Sequence, residues 1–310
     1  MSKNLFQVLI VEDDPYASDL ILMLLSRDYR TQVAGELSNC ANLAIFDSPS
    51  HLHDSKKACK DDIVGDDYFD IDFNAIDVII LDTSVSQEVN QSIKIIEKIS
   101  GWKKPPKIIC TCTYPNGAIL QKLSKFDCFS GYLIKREILY SIASAVCLAY
   151  EDNFIITPGI VPLMEKERGK RTLILTSKEM EKVKKEFNKI GREVIRLGLL
   201  FNLPDNEIQD EIRISDAYVR GIKHKEYGNL HLLDIVSNQV SLDEAFYNPF
   251  LDNQKINQNY QETLNKMLKQ KERRREGKTN SKFRNESTLA FHLLTRPEIK
   301  EWHSETKGSN

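Results

Sequence analysis

The sequence predicts an α/β domain built on a doubly wound parallel sheet, followed by an all-α region. In the first half, short apolar runs that end in a polar residue alternate with segments of helical periodicity. Uninterrupted apolar runs of this length are typical of strands buried on both faces of a parallel sheet. In the second half, apolar residues recur every three or four positions, as on amphipathic helices. With 310 residues, the chain is long enough for two domains that each bury a core.

Five strands and five helices are predicted in strict alternation, which implies a sheet with helices on both faces. The predicted strands are residues 6–11, 31–35, 76–81, 107–110 and 132–134. The predicted helices are residues 15–26, 38–46, 92–99, 117–126 and 138–150.

Residues 47–74 interrupt this alternation with an acidic insertion. Positions 54–72 hold seven Asp and three Lys and show little periodicity, which is the composition of a solvated, disordered segment. A metal site is the alternative, but the segment lacks the Gly and Glu placement of a calcium loop, so an acidic surface loop is favoured. The aspartates that such a metal site would use are Asp61, Asp62, Asp66, Asp67, Asp70 and Asp72.

Polar residues stand at the carboxyl ends of four predicted strands. Glu12 and Asp13 follow the first strand, and Asp82 follows the third. Thr111 and Lys135 follow the fourth and the fifth. Because the carboxyl ends of parallel strands meet at one edge of a sheet, we expect these side chains to share one pocket. The three carboxylates would repel one another by roughly a few kcal/mol per pair at an effective dielectric of about 20, so the pocket favours a hard divalent cation, and Mg²⁺ is the predicted occupant.

This arrangement resembles the receiver domain of two-component response regulators, and the predicted receiver spans residues 1–163 with a flavodoxin-like sheet. The resemblance implies that Asp82 accepts a phosphoryl group from a phosphohistidine on a sensor histidine kinase or a phosphotransfer protein. It also implies that Asp13 and Asp82 bind Mg²⁺ directly and that Glu12 binds it through water. A backbone carbonyl near Ser84 would supply another ligand.

The resemblance assigns roles to three further residues. Lys135 would neutralise charge on the transferring oxygens. Thr111 would turn inward to bond a phosphoryl oxygen and Tyr132 would follow into the vacated space, so that these two form the switch. Simpler roles stay open, with Lys135 as an ordinary strand-end lysine and Tyr132 as a core aromatic. Asp14, next to Pro15, is interpreted as a helix cap rather than a metal ligand.

One departure from the receiver pattern follows Asp82. Receivers usually carry Pro, often followed by Gly, a few residues after the phosphoacceptor, whereas here the sequence continues Thr83-Ser-Val-Ser86-Gln. A loop of different shape is therefore expected at this position, and phosphorylation of Asp82 does not follow from the resemblance alone.

The second half resembles the output domain of LuxR-type response regulators. Residues 153–158 resemble the segment after the last receiver helix, and the charged residues 164–174 are the predicted linker. The predicted output domain spans residues 175–240. It opens with Leu175-Thr-Ser-Lys-Glu179, in which a threonine caps a helix and a Glu stands three residues on. The Lys and Glu spacing of residues 178–201 favours one long helix over two.

A helix-turn-helix is predicted from residue 205 onward. Asp205 or Pro204 opens the scaffold helix, whose Ile208 and Ile212 face the core. Ser215 caps the second helix, which would bind double-stranded DNA, with Arg220 as the best candidate for reading guanine. An amphipathic helix with a solvated basic face is the alternative. The predicted contacts to the groove and the flanking phosphates are Ser215, Tyr218, Arg220, Lys223, His224 and Lys225.

Residues 241–310 are predicted to form a C-terminal extension that is basic and partly disordered. Residues 265–284 hold nine Lys or Arg against two acids. Such a tract binds phosphates without sequence preference or stays solvated. Residues 283–302 regain apolar side chains, which suggests a small docking helix.

These patterns predict a DNA-binding transcriptional regulator controlled by phosphorylation of Asp82, acting as a homodimer when phosphorylated. The alternative is a receiver-containing interaction module whose C-terminal half binds protein or RNA. No enzyme is expected, because the second half has no Gly-rich phosphate loop and no nucleophile at a recognisable spacing from a base. The six cysteines lack paired metal-ligand spacing apart from Cys110-Thr-Cys112, and they are interpreted as small buried hydrophobic residues in a reducing compartment. Together with the absence of a signal peptide and of a membrane-spanning run, they predict a cytoplasmic protein without membrane association.

Overall fold

The computed structural model describes residues 5–38, 71–83, 89–165, 169–236, 250, 262–263 and 282–303. Two compact units divide the chain. The first unit consists of Met1–Thr176 and Ile299–Asn310, and the second of Ser177–Glu298.

An eight-stranded sheet organises the first unit. Its neighbouring strands from β2 to β7 pair in parallel, in the order β2-β1-β3-β4-β5-β6-β7-β8. The first five strands have the 2-1-3-4-5 order of flavodoxin-like doubly wound sheets, which confirms the predicted fold class. The strands are β1 (Phe6–Val11), β2 (Thr31–Leu37), β3 (Val78–Asp82), β4 (Lys107–Cys112), β5 (Phe129–Ile134), β6 (Phe154–Ile156), β7 (Thr172–Thr176) and β8 (Glu298–Trp302).

The described helices of the first unit follow β1, β3, β4 and β5 as predicted. They are α1 (Pro15–Arg27), α2 (Val89–Ser100), α3 (Gly117–Leu123) and α4 (Ile142–Tyr150). A single helical turn, Lys135–Ile138, and a 3₁₀ turn, Leu139–Ser141, lie between β5 and α4. α1 begins where Asp14 Oδ1 accepts a hydrogen bond from Tyr16 N at 2.9 Å, which confirms Asp14 as a helix cap. α4 contacts α1 and strands β1 to β5, and it is buried from residue 142 to 149, which explains why its sequence is apolar on every side.

The strand register sets where the polar strand ends meet. β3 is buried along its whole length because its apolar run packs on both faces of the sheet. Leu81 and Phe129 belong to one core cluster. Val11 lies beside Leu81 in the β1–β3 pair, and Asp82 lies beside Thr111 in the β3–β4 pair. The residues that end β1, β3 and β4 therefore come together.

The sheet continues beyond β5, which the sequence did not predict. Ile155 and Ile156 of β6 pair with Gly131 and Tyr132 of β5. A short 3₁₀ segment, Pro158–Leu163, follows β6. Residues 172–174, assigned to the linker by the sequence, lie within β7. β7 extends the sheet beyond β6, and its alternating residues Leu173 and Leu175 are buried.

Helices make up nearly all of the described part of the second unit. They are α5 (Lys178–Glu186), α6 (Lys189–Ile195), α7 (Asp205–Ile212), α8 (Asp216–Asn229), α9 (Leu232–Val236) and α10 (Lys282–Leu294). α6 continues as the π-helical turn Arg196–Leu200. The helix-turn-helix pair lies where it was predicted, with Arg213 in the left-handed conformation (φ 54°) between α7 and α8.

Three local predictions in this half are wrong. Residues 178–201 do not form one helix, because Asn188 Oδ1 accepts a hydrogen bond from Gly191 N at 2.8 Å and caps a new helix. The residue at the cap of α5 is Ser177 rather than Thr176, which ends β7. The predicted docking helix ends at Leu294, and residues 298–302 form the edge strand β8.

Several predicted features lie outside the described residues. They include most of the predicted helix 38–46, the acidic insertion before residue 71, Ser84, and most of the basic tract 265–284. The metal alternative for the insertion falls there as well, except for Asp72, which accepts a hydrogen bond from Asn74 N at 3.0 Å. Among the residues that are described, no helix has both the length and the apolar character needed to cross a membrane.

Candidate functional site

An acidic cluster lies at the carboxyl ends of β1 and β3. Oxygen atoms of Glu12, Asp13 and Asp82 all lie within 4.8 Å of one another. Glu12 directly follows Val11, whose partner Leu81 directly precedes Asp82, so the strand register brings the carboxylates together. Glu12 and Asp82 are buried and Asp13 is exposed, which leaves the cluster open to solvent on one side.

Lys135 bridges two members of the cluster. Its Nζ donates a hydrogen bond to Glu12 Oε1 at 2.8 Å and lies 3.0 Å from Asp82 Oδ2. Burial by itself lowers the pKa of Lys135, but the hydrogen bond to Glu12 and the charge of Asp82 outweigh it and raise the pKa above its usual value. Lys135 is therefore a charged group of this site and more than an ordinary strand-end lysine.

Glu12 has an unusual environment for a carboxylate. Burial raises the pKa of Glu12 to about 7, while the hydrogen bond from Lys135 opposes the rise and the charge of Asp82 adds to it. Glu12 Oε2 is buried and accepts no hydrogen bond from the described part of the chain. A buried oxygen without a donor, beside two further carboxylates, fits a hard divalent cation that prefers oxygen ligands. The three carboxylates thus fit the predicted Mg²⁺.

Thr111 and Tyr132 lie on β4 and β5 next to the cluster. Thr111 lies beside Asp82 in the register of β3 and β4. Its Oγ1 is buried and has no hydrogen-bond partner among the described residues. The backbone oxygen of Thr111 accepts hydrogen bonds from Thr83 N and Thr83 Oγ1 at 2.8 and 2.9 Å. Tyr132 is fully buried, and its hydroxyl accepts a hydrogen bond from Asn116 N at 3.3 Å. The Thr111 hydroxyl is thus open to a new partner, whereas the Tyr132 ring already lies in the core.

Two exposed tyrosines near this edge of the sheet were not anticipated from the sequence. Tyr16 is 85% exposed and Tyr114 is 81% exposed. Tyr16 lies in the first turn of α1 after β1, and Tyr114 lies two residues beyond β4. Because β1 and β4 are the two neighbours of β3, the tyrosines follow the strands on either side of the one that carries Asp82. Each tyrosine adjoins a proline in the sequence, a turn signal that could have indicated a surface position.

A second group of candidate residues lies on α8. Ser215 Oγ accepts a hydrogen bond from Tyr218 N at 3.3 Å and caps the helix as predicted. Tyr218, Arg220, His224 and Lys225 are exposed, and the apolar Val219 and Ile222 face inward. The surface of α8 therefore presents three basic side chains and an aromatic ring on a rigid helix.

Two of these exposed cations have partners. Arg220 forms an ion pair with Asp216, one helical turn earlier, and its side chain remains 58% exposed. Lys225 Nζ lies 4.6 Å from the centroid of the Phe187 ring. Exposed pairs of this kind contribute little free energy, so both cations can rearrange around a ligand. The i,i+4 spacing of Asp216 and Arg220 was the sequence signal that could have identified this pair.

Lys223 does not lie on the exposed face where the sequence placed it. It is only 9% exposed, and its Nζ lies 2.5 Å from Asp205 Oδ1 at the start of α7. The helix turns this position inward because Val219 and Tyr227, one turn away on either side, are also buried. Lys223 is therefore removed from the set of surface cations.

Comparisons with known proteins return solved structures of response regulators. The RcsB response regulator of Salmonella typhimurium is 18% identical with a TM-score of 0.36, and the match covers 73% of this chain and 91% of that chain. The isolated REC domain of RcsB from Salmonella enterica serovar Typhimurium, with the phosphomimetic BeF3⁻, is 19% identical with a TM-score of 0.37 and covers 52% and 100%. The response regulator ChrA of a heme-sensing two-component system is 17% identical with a TM-score of 0.35 and covers 74% and 92%. No protein family model and no curated protein matches this chain.

Proposed function

We propose that this chain is a response regulator in which Asp82 accepts a phosphoryl group and helix α8 binds double-stranded DNA under the control of that modification. The observation that carries the proposal is the cluster of Glu12, Asp13 and Asp82 with Lys135 bridging two of its members. One pocket thus combines a carboxylate nucleophile, a cation and a set of oxygens suited to a metal.

The proposed reaction transfers a phosphoryl group from a phosphohistidine on a kinase or phosphotransfer protein to Asp82. A carboxylate oxygen of Asp82 attacks phosphorus and forms the O–P bond. The P–N bond to the donor imidazole breaks, and the imidazole nitrogen keeps the bonding electrons. Lys135 Nζ, 3.0 Å from Asp82 Oδ2, neutralises charge on the acceptor and the transferring oxygens.

Glu12, Asp13 and Asp82 would hold Mg²⁺ beside the acceptor. When bound, the ion supplies positive charge for the phosphoryl oxygens. Asp13, the exposed member of the three, lies on the open side of the cluster, from which a donor group enters. The Asp82 side chain is only 6% exposed, so a donor has to present a narrow group to reach it.

Phosphorylation of Asp82 would be sensed by Thr111. The modification adds acceptor oxygens next to β4. Thr111 Oγ1, which is buried without a partner among the described residues, gains a hydrogen bond by turning toward one of them. Tyr132 lies in the core already, and its hydroxyl contacts Asn116 N at the start of α3, so the ring connects β5 to the loop that precedes this helix.

The DNA-binding part of the proposal rests on the surface of α8. Arg220, His224 and Lys225 are exposed on a helix capped by Ser215, a geometry that suits insertion into the major groove with contacts to flanking phosphates. Dimerisation after phosphorylation would bring two such helices to neighbouring half-sites, so that the dimer would bind DNA more tightly than a single chain does. The regulated output is then transcription.

The first test is phosphorylation of the intact chain by a small acyl phosphate such as acetyl phosphate with Mg²⁺. Mass spectrometry should detect one added phosphoryl group, bound as an acid-stable, base-labile acyl phosphate on the peptide that contains Asp82. The Asp82→Asn variant should remain unmodified, and Asp72→Asn, an aspartate outside the cluster, should be modified like the wild type. Modification at another residue, or none in the wild type, contradicts the proposal.

The second test is binding to fragmented genomic DNA at two salt concentrations, with and without the acyl phosphate. Selection of a few fragments should rise with phosphorylation and be lost in Arg220→Ala. Lys185→Ala, which removes an exposed cation from α5, is the matched control and should leave selection intact. Uniform binding that falls steeply with salt and ignores both phosphorylation and Arg220→Ala would favour the interaction module, with residues 265–284 as the binder.

A further inference from the structure

A buried ion pair joins α8 to α7 in the second unit. Lys223 on α8 and Asp205, the first residue of α7, lie 2.5 Å apart, with side chains that are 11% and 22% exposed. Water screens such an enclosed pair far less than the exposed pair of Arg220 and Asp216. The pair therefore resists a change in the angle between the two helices.

Gly198 makes the space that the lysine occupies. It belongs to the π-helical turn Arg196–Leu200, and a Cβ at this position would lie 2.7 Å from Lys223 Nζ and 3.1 Å from Ile208 Cδ1. The Gly198 carbonyl also accepts a hydrogen bond from Ser287 Oγ of α10 at 3.1 Å. π-helical turns are frequently retained at functional sites. The π-helical turn and α7 thus adjoin the end of the Lys223 side chain.

The buried side of α8 near this point is apolar or aromatic apart from Lys223 and Glu226. Val219, Ile222 and Tyr227 pack inward with Lys223, while Arg220 and His224 point to solvent. A leucine or methionine at position 223 would suit such a face without the desolvation cost of a charged group. Burial of the Lys223 ammonium group at this position costs desolvation free energy, which the ion pair with Asp205 offsets.

We infer that Lys223 is a positioning residue, which through Asp205 sets the angle at which α8 is presented to DNA, and that it does not itself contact DNA. The inference rests on the proposed DNA binding by α8 and adds how the geometry of that helix is held. Because the two charges contact each other inside the protein, removal of the Asp205 charge should weaken DNA binding, whereas it would strengthen binding if Lys223 contacted a phosphate. The salt dependence of DNA affinity should likewise not depend on Lys223.

The test compares Asp205→Asn with the wild type for binding to a random-sequence DNA duplex. If Lys223 positions α8, breaking the pair weakens binding about tenfold, even though the variant removes a negative charge. If Lys223 contacts a phosphate, the same variant strengthens binding, because it frees the lysine and removes a repulsive carboxylate. Glu207→Gln is the matched control, since Glu207 is an exposed acid in the same first turn of α7.

Salt dependence gives a second readout, which separates a positioning residue from a phosphate contact. Lys223→Met should weaken binding about tenfold at each salt concentration with an unchanged slope of log affinity against log salt. Lys225→Ala, which removes an exposed cation, should reduce that slope by about 0.9, the amount expected for one phosphate contact.

Gly198→Ala displaces the lysine while both charges stay in the chain. The added methyl meets the flexible end of Lys223, so the helices can keep their fold while the ion pair is lost. Gly198→Ala should weaken DNA binding as much as Asp205→Asn does. The double variant Gly198→Ala, Lys223→Met should bind DNA no more weakly than Lys223→Met alone, because both changes remove the same ion pair.

Stronger binding by Asp205→Asn, or a reduced salt slope in Lys223→Met, would overturn the inference and make Lys223 a phosphate contact. Unchanged binding in all three variants, measured below their thermal midpoints, would overturn it while leaving DNA binding in place. Absence of DNA binding by the wild-type chain would instead contradict the proposed function on which the inference rests.

Discussion

The two units each bury a lysine against carboxylates, and the charge balance around the two lysines differs. Lys135 contacts Glu12 and Asp82, with Asp13 close by, so one cation stands among three carboxylates. Among the described residues, Lys223 forms an ion pair with one carboxylate, that of Asp205, so the two charges balance. An unbalanced cluster at a solvent-accessible edge favours uptake of a further cation, whereas a balanced pair between helices has no such demand. The comparison thus distinguishes a cluster suited to binding a cation, around Lys135, from an ion pair that joins two helices, at Lys223.

The largest expected effect concerns a third buried cation, Arg30. It donates to both carboxylate oxygens of Asp28 at 2.8 and 2.7 Å and to Ser144 Oγ at 3.1 Å. Arg30→Ala removes these three hydrogen bonds and the positive charge beside the buried Asp28, so the free energy of unfolding should fall by roughly 3–5 kcal/mol. Urea unfolding measures this change. Lys184→Ala, which breaks an exposed pair with Glu181, should cost less than about 1 kcal/mol. Equal decreases in the free energy of unfolding for the two variants would show that the buried Arg30 pair stabilises the protein no more than an exposed pair does.

Lys135→Met tests the unbalanced cluster directly. Removal of the ammonium group takes away the positive charge beside Asp82, so phosphorylation by acetyl phosphate should slow by roughly 100-fold. The rate is followed by mass spectrometry of the intact chain. Lys122→Met replaces an exposed lysine on α3 and serves as the control, with no expected change. A wild-type rate in Lys135→Met would reduce Lys135 to a structural lysine like Lys223.

Glu226 allows a comparison between the buried cations and a buried acid. Burial raises the pKa of Glu226 to about 7; the hydrogen bond from Asn229 lowers it, the charges of Glu186 and Glu179 raise it, and Lys225 lowers it. The native state therefore binds more protons than the unfolded state between about pH 4.5 and pH 7, and stability falls as pH rises through this range. Glu226→Gln should stabilise the chain by roughly 1–3 kcal/mol above pH 7 and leave it unchanged near pH 4.5.

Thermal or urea unfolding at pH 4.5 and pH 8 measures this difference. Glu181→Gln, at an exposed acid of α5, is the control and should show little change between the two pH values beyond its weak pair with Lys184. A stabilisation by Glu226→Gln that is equal at both pH values would exclude titration of Glu226 as the cause.

The smallest expected effect is at the exposed pair on α8. Asp216→Asn removes a carboxylate from the proposed DNA-binding surface and releases Arg220. Because exposed i,i+4 pairs contribute only about 0.3–0.5 kcal/mol, affinity for a random-sequence duplex should rise by about twofold. The increase should shrink with added salt, in contrast to the expected weakening by Asp205→Asn. Fluorescence anisotropy at two salt concentrations checks both the sign and the salt dependence, and weaker binding by Asp216→Asn would contradict this account of the surface.

The acidic site could be predicted from the sequence because parallel strands leave little choice. An apolar run buried on both faces has to end at a sheet edge, and the residue that follows it is then at that edge. Glu12, Asp82 and Lys135 were placed together on this ground, and their carboxylate and ammonium groups are in contact. The exposed tyrosines 16 and 114 were not foreseen, because exposure depends on what the rest of the chain leaves uncovered.

The helical half was less predictable at the level of single residues. The spacing of Ile208, Val219 and Ile222 indicated the positions of α7 and α8, which the structure contains. The break at Asn188 was missed because the Lys and Glu spacing continues on both sides of it. The spacing does not reveal that the Asn188 side chain bonds the backbone and starts a new helix. Lys223 was assigned to the surface because a lysine is rarely buried, and only the space at Gly198 and the carboxylate of Asp205 make its burial possible.

The sequence by itself determined the order of the described strands and helices from β1 to α4 and the residues that end the strands, since periodicity and polarity are local properties of the chain. The tertiary structure decided that β6, β7 and β8 extend the sheet, because the pairing of short strands depends on a free sheet edge. It also decided which lysines are buried, because burial of a charge depends on a partner and a space contributed by distant residues. Lys135 and Lys223 are the same residue type, and their surroundings give them different roles.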